Sequence, residues 1–356
     1  MPLKRLFVSL LVFCPISFSW AKADIDVVTS IKPVHSLVSS VMKGVGSPYL
    51  ILDGASSPHT YSLKPSEARK LQDAELVFWM GDEIETFLKE PIKNISGSAT
   101  VIKLLNAHGL KRIEFREGGM FDDHGHDDHK EHAEKEHDHG HDDHKEHAEK
   151  EHDHGHDDHE KHAEKEHDQG HDDHEKHDNH AHGEIDPHVW LDPVNAIALV
   201  HEIEEALVKA DPAHAAVYEE NARKLRSQLN SLVSELRDQL EPVQDKGFIV
   251  FHDAYHYFEQ RFDVSAVGSI TVSPEVLPGA QRISELREKI MSLSATCIFS
   301  EPQFEPKLVK SLVEGSGAKT GVLDPLGASI ASGPDMYFQL LRNMASSIKT
   351  CLAADN

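Results

Sequence analysis

The sequence predicts an α/β protein of two similar lobes with central parallel sheets, joined by one long rigid helix. Three observations lead there. Short apolar runs alternate with segments of helical period, the pattern of strands fed by crossover helices. The two halves repeat one pattern: Pro65–Leu71 leads into Leu76–Asp82, and Pro278–Ser284 leads into Cys297–Pro302, each a helix feeding a strand that ends in a polar turn. Between the halves runs a polar, heptad-like stretch with Leu225, Leu229, Leu232 and Leu236.

Taken in chain order, the first element is an export signal. Lys4 and Arg5 precede an apolar run from Leu6 to Phe18, and Ala21-Lys22-Ala23 offers small residues where a signal peptidase reads, so the mature chain is expected to begin at Asp24 in an extracytoplasmic, periplasmic setting. The run falls short of the roughly 20 residues needed to span a bilayer. Phe13 stands where a lipoprotein signal takes a small residue, which argues against an anchor on Cys14.

Strands are expected at Asp26–Ser30 and Leu76–Met80, with a helix over Pro65–Gln72. From Asp122 to Gly183 the composition collapses to His, Asp, Glu, Lys, Ala and Gly, with single Gln and Asn residues, and this stretch holds twenty of the 28 histidines. It is built on a fifteen-residue repeat: His124-Gly-His-Asp-Asp-His recurs from His139 and His154, and once more with Gln169 leading. Such a segment, with no aliphatic residue larger than Ala, cannot bury apolar surface to offset its ordering entropy, so a disordered loop is expected. Neutral imidazole is a preferred ligand for zinc, copper and nickel, and neighbouring carboxylates lower the cost of bringing in a divalent cation; weak, exchangeable zinc sites should result, emptied below about pH 6. The tract also explains the net charge of −25: residues 122–182 contain 24 acidic and 7 basic residues, leaving the globular body only mildly acidic.

Asp211-Pro212 reads as a helix N-cap and first-turn proline, opening a helix to about Leu240 and roughly 45 Å long. Beyond it, strands are expected at Phe248–Phe251, Thr296–Ser300 and Thr320–Leu323, and a helix at Ala280–Leu293. The chain thus parses into a signal peptide over 1–23, a first lobe over 24–210 interrupted by the loop 122–183, a linking helix over 211–242 and a second lobe over 243–356. With the signal removed, Cys297 and Cys351 remain, and an even pair in an exported chain reads as a disulfide worth at most roughly 4 kcal/mol in the chain-entropy model. Zinc ligation by the pair is the rival reading, against which stands the lack of a close CxxC spacing.

Eight histidines lie outside the tract. His108, His201 and His214 sit among ordinary helix or loop residues and should face solvent, and His35 reads as structural. The others stand at element ends, where open α/β sheets place ligands. His59 follows Pro58 in a turn, His188 follows Pro187, His252 ends an apolar strand, and Asp324 ends another. Three imidazoles and one carboxylate suit a single tetrahedral zinc, closed if Asp324 binds and open to water if it does not.

These segments also carry a resemblance. Gly54–Tyr61 with Lys64-Pro65, Asp186–Pro193, Phe251–Tyr255, Ser273-Pro274-Glu275, Ser300–Gln303 and Leu323–Gly327 together resemble the cluster A-I solute-binding proteins of metal ABC importers, over nearly the whole chain from Asp24. The resemblance implies metal held between two lobes and delivered, by a monomeric receptor, to a membrane permease with a cytoplasmic ATPase. It places the family's zinc histidines on His59, His188 and His252 and its last carboxylate on Asp324. A histidine at 252, where manganese-binding relatives carry a carboxylate, favours zinc. The histidine-rich insertion is similar to that of zinc-specific members, which makes it an accessory zinc scavenger or sensor, and Cys297 with Cys351 looks like the disulfide of some of them. Two departures stand out: Pro58 where some members have a ligating glutamate, and His256, one helical turn after His252, as an alternative donor. A zinc hydrolase is the competing class, but no HExxH pair occurs, and Glu275 and Glu301 read as groups lining the cleft or supporting the ligands. A metal buffer without a transporter, with the tract as its function, is the third.

Overall fold

The computed structural model describes residues 25–116, 185–271, 278–292, 297–305, 307–314 and 316–353. The signal segment, the histidine tract, Glu275 and Thr296 lie outside the described residues.

Two four-stranded sheets form the frame, both wholly parallel. The first contains β1 (Val27–Ile31), β2 (Tyr49–Leu52), β3 (Leu76–Trp79) and β4 (Thr100–Lys103) in the order β2-β1-β3-β4. The second contains β5 (Gly247–His252), β6 (Ser265–Thr271), β7 (Cys297–Ser300) and β8 (Lys319–Val322) in the order β6-β5-β7-β8. The strand order is the same in both, so the internal repeat in the sequence is a repeat of topology: helix α2 (Pro65–Asp73) feeds β3 as α7 (Ala280–Ser292) feeds β7.

Parallel strands buried on both faces read as unbroken apolar runs, and the packing shows why. In β3, Leu76 and Phe78 face the central core, while Val77 and Trp79 join a separate cluster with Leu71 of α2 and Leu88 of α3 (Thr86–Ile95). In β5, Phe248 and Val250 face the central core, and Ile249 and Phe251 pack with Leu286 and Ile290 of α7 and with Val309 and Leu312 of α8 (Lys307–Val313). The central core is continuous between the two sheets. It also takes in α1 (Lys32–Val41), α4 (Pro193–Ala210), α5 (Ala215–Leu240), α6 (His256–Phe262) and α9 (Met336–Ala353).

Helix α5 is the long helix expected from the leucine spacing, and Leu225, Leu229, Leu232, Leu236 and Leu240 are all buried along it. It begins three residues later than Asp211-Pro212 suggested. Asp211 instead closes α4, donating its N–H to Leu207 O at 2.8 Å, while its carboxylate is engaged by His214 Nδ1 at 2.6 Å and accepts from Tyr218 Oη at 3.0 Å. Pro212–His214 is a separate 3₁₀ turn, and the 26 residues of α5 reach about 39 Å. Helix α9 is fastened to β7 by the Cys297–Cys351 disulfide, with Cα atoms 6.0 Å apart, which rules out zinc ligation by that pair. Among the described residues no helix is long and apolar enough to cross a membrane.

Candidate metal centre

The functional side chains stand where the strands run out. His252 is the last residue of β5, and Glu301 follows directly on the end of the neighbouring strand β7. Their proximity is therefore a product of the β5–β7 pairing, at the position where the strand order reverses and open sheets leave a crevice. His59 lies in the connection between β2 and α2, where Ser57 Oγ accepts its backbone N–H at 3.3 Å and Thr60 N bonds back to Ser57 O. His188 precedes the 3₁₀ turn Val189–Leu191, whose next residue, Asp192, caps α4 by accepting from Val194 N at 2.8 Å.

The three imidazoles converge. One nitrogen from each of His59, His188 and His252 lies within 4.8 Å of the other two, and the ring centroids are 5.5–6.1 Å apart. Tetrahedral zinc with Zn–N bonds near 2.0–2.1 Å needs nitrogens about 3.4 Å apart, so the set fits that ion after small side-chain rotations. Among the described residues no other group of three or more His, Cys, Asp or Glu side chains meets this geometry.

Two of the ligand candidates are oriented by buried carboxylates. His188 Nδ1 lies 2.7 Å from Asp186 Oδ1, which also accepts the His188 backbone N–H at 2.9 Å. His252 Nδ1 lies 2.7 Å from Glu301 Oε1. With each Nδ1 proton directed at a carboxylate, Nε2 is the nitrogen left to take a metal; that of His252 is buried and has no hydrogen-bond partner among the described residues. Burial, reinforced by the neighbouring imidazoles, pushes His59 and His188 down to about 3, so both are uncharged at neutral pH. Burial also pulls on His252, but the Glu301 carboxylate outweighs it and raises its pKa. Asp186, fully enclosed, is pushed up to about 8 by burial; Oδ1, which faces both the backbone nitrogen and Nδ1 of His188, remains an acceptor with the proton on Oδ2.

Asp324 does not join the three histidines. Its carboxylate is taken up by four donors: Gln303 Nε2 at 2.9 Å and the backbone N–H groups of Leu326 at 3.1 Å, Gly327 at 2.9 Å and Ala328 at 2.6 Å. It holds a turn in which Gly327 has φ +68°, and a Cβ there would clash with Met336 Cε. The next two residues, Pro325 and Leu326, line the pocket of about 250 Å³ over the histidines, with Trp190, Phe304, Ile84 and Pro58. The wall is thus mostly apolar. His256 also stays out of the group, with Nε2 3.0 Å from Gln260 Nε2. His108 and His201 are exposed, and His214 is partly exposed beside Asp211.

The family model for the periplasmic zinc-uptake complex component A, ZnuA, matches residues 27–351. The chain belongs to the ZnuA family. It is 54% identical over 327 residues to the high-affinity zinc uptake system protein ZnuA of Brucella suis, covering 92% of this chain and 91% of the relative. It is 39% identical over 337 residues to the ZnuA of Paracoccus denitrificans, covering 94% of each. Among solved structures it resembles a zinc-bound ZnuA deletion mutant, with a TM-score of 0.67, 22% identity and coverage of 93% of this chain and 99% of the other; this likeness speaks for the shared fold.

Asp186 and Trp190 are the functional neighbours that the sequence reading passed over, although both lie in the segment that carries the ZnuA resemblance. The signal for Asp186 was local: an Asp two residues before a His, across a proline, is placed to accept that residue's backbone N–H in an Asx turn. Trp190 had no such signal. Its Nε1 donates to Pro325 O at 2.9 Å and its carbonyl accepts from Tyr337 Oη at 2.6 Å, contacts between segments more than a hundred residues apart.

Proposed function

We propose that the protein is the periplasmic receptor of a zinc importer, binding one Zn²⁺ through His59, His188 and His252 and handing it to a membrane permease driven by a cytoplasmic ATPase. The observation that carries this reading is the convergence of three buried or half-buried imidazoles from three separate segments, two of them aimed by buried carboxylates. The names of the ZnuA relatives support zinc as the cargo. A water molecule completes the tetrahedron, because recruiting Asp324 would cost it four hydrogen bonds and unmake the turn beside the pocket. Asp324 then serves as the brace of that wall.

In this reading the protein is no enzyme: the metal is cargo. Residues 1–23 are a cleaved export signal, 24–210 and 243–356 form the two lobes, 211–242 is the link, and the mature protein acts as a monomer. The tract at 122–183 is an accessory scavenger with weaker zinc sites. Metal analysis and zinc titration of His59→Ala, His188→Ala and His252→Ala, each made without residues 122–182, test the centre. Loss of the one tight equivalent in each variant is expected. A variant that keeps it removes that residue from the ligand set.

A further inference from the structure

Lys32, the first residue of α1, is a buried cation in the first half of the chain, yet both of its hydrogen-bond acceptors lie in the second half. Its ammonium donates to Ile330 O at 2.5 Å and to Ala328 O at 3.3 Å, and lies 3.5 Å from Asp53 Oδ1. The two carbonyls take two of its three N–H donors, and the Asp53 carboxylate adds an ion pair. The same Asp53 oxygen accepts from Ser332 Oγ at 3.3 Å. Farther along α1, Ser36 and Ser40 donate to Pro334 O at 3.1 and 3.0 Å.

Both ends of this contact lead to the metal centre. Asp53 follows β2 directly and opens the connection to Lys64 on which Ser57, Pro58 and His59 stand. Ala328 and Ile330 belong to the segment that Asp324 braces and that supplies Pro325 and Leu326 to the lining of the same pocket. A zinc ion held by His59 would therefore lie in a pocket to which both segments contribute. The far end of the His59 connection is held independently, by Glu67, which accepts from Lys64 N at 2.8 Å and Tyr61 Oη at 2.7 Å.

We propose that Lys32 and Asp53 form a clasp that positions the His59 connection against the 324–330 wall and thereby sets how fast zinc leaves the centre. This rests on the reading that His59, His188 and His252 hold zinc. The Lys32 side chain is 3% exposed whereas that of Asp53 is 68% exposed. The carbonyl half of the clasp is therefore shielded, and the carboxylate half is open to screening by salt. Weakening the Asp53 half loosens the connection that carries a ligand while leaving every ligand in place.

The test is a chase of the zinc-loaded full-length protein into excess chelator, followed at about 0.02 M and about 0.5 M salt. The slow phase is assigned to the centre by its absence in His59→Ala. In the parent, salt should accelerate that phase. In Asp53→Asn it should run roughly three- to fivefold faster at low salt, as expected for loss of one exposed ion pair, and lose most of its salt dependence. Lys32→Met should accelerate it at least as much. A purely structural contribution of Asp53 would lower the melting temperature without moving the salt dependence. Asp53→Asn matching the parent in rate and salt response would overturn the clasp alone. A slow phase that survives in His59→Ala would overturn the assignment of the centre, and the clasp with it.

Discussion

In the proposed zinc centre, Glu301 supports a ligand without being one. Its Oε1 fixes His252 Nδ1, and it is 3% exposed, so its carboxylate is held by the fold rather than by solvent. Glu301→Gln keeps the shape but replaces a charge-assisted bond with a neutral one. Zinc affinity should fall by about 10- to 100-fold with the fold intact, as is usual for partners of metal-bound histidines, measured by competition with a chelator of known affinity. Glu85 is a buried acid of a different kind. Its Oε2 accepts from Met80 N at 2.7 Å and Gly81 N at 3.3 Å, and burial raises its pKa from 4.5 to about 7. The folded state therefore holds this proton more tightly than the unfolded chain. The stabilisation it confers is fully present below about pH 4.5 and is lost as pH rises through about 7. Comparing urea unfolding of the parent and Glu85→Gln at pH 5 and pH 8, the variant should gain on the parent by on the order of 3 kcal/mol between the two. At this scale the histidines were legible because each sits beside a proline or at a strand end. Glu85 was not, since nothing local distinguishes a buried acid from an exposed one.

Elements were legible where they bury both faces. The runs at 76–79 and 248–251 are unbroken apolar stretches because β3 and β5 lie inside their sheets with helices on either side. Three strands escaped the sequence for physical reasons. β2 is four residues just after Pro48, β4 is a half-exposed edge strand, and β6 is Ser265-Ala-Val-Gly-Ser-Ile-Thr, rich in small residues and extended because it pairs along the whole of β5. Helix α5 was legible from its leucines, but its start was not, because Asp211 spends its carboxylate on His214 and Tyr218. The leucine stripe is the part of α5 that holds it to the core. Leu229 is fully buried in the central cluster, so Leu229→Ala should cost about 2–5 kcal/mol in urea unfolding. Substitutions at the exposed positions between the leucines should cost far less.

At the scale of the whole molecule, the chain divides its histidines between two chemistries. Twenty stand in an acidic tract with no aliphatic side chain larger than that of Ala, and three are placed by folded elements from both halves of the chain. In the proposed reading the first arrangement would gain capacity from number, since any few imidazoles can share an ion, and the second would gain affinity because the fold has already met the entropy of bringing its ligands together. Deleting residues 122–182 separates the two. If the folded centre is the receptor site, calorimetric titration of the deletion protein with zinc at pH 7 should retain one tight equivalent and lose the weaker ones. If the tract were the function, nearly all binding would go with it. Acidification should make the same division without mutation, because an imidazole at the reference pKa of about 6.5 is mostly charged by pH 5 and no longer available to a metal. The full-length protein should therefore lose its weak equivalents at pH 5, and a stoichiometry unchanged from pH 7 would show that the tract does not bind zinc through neutral imidazole.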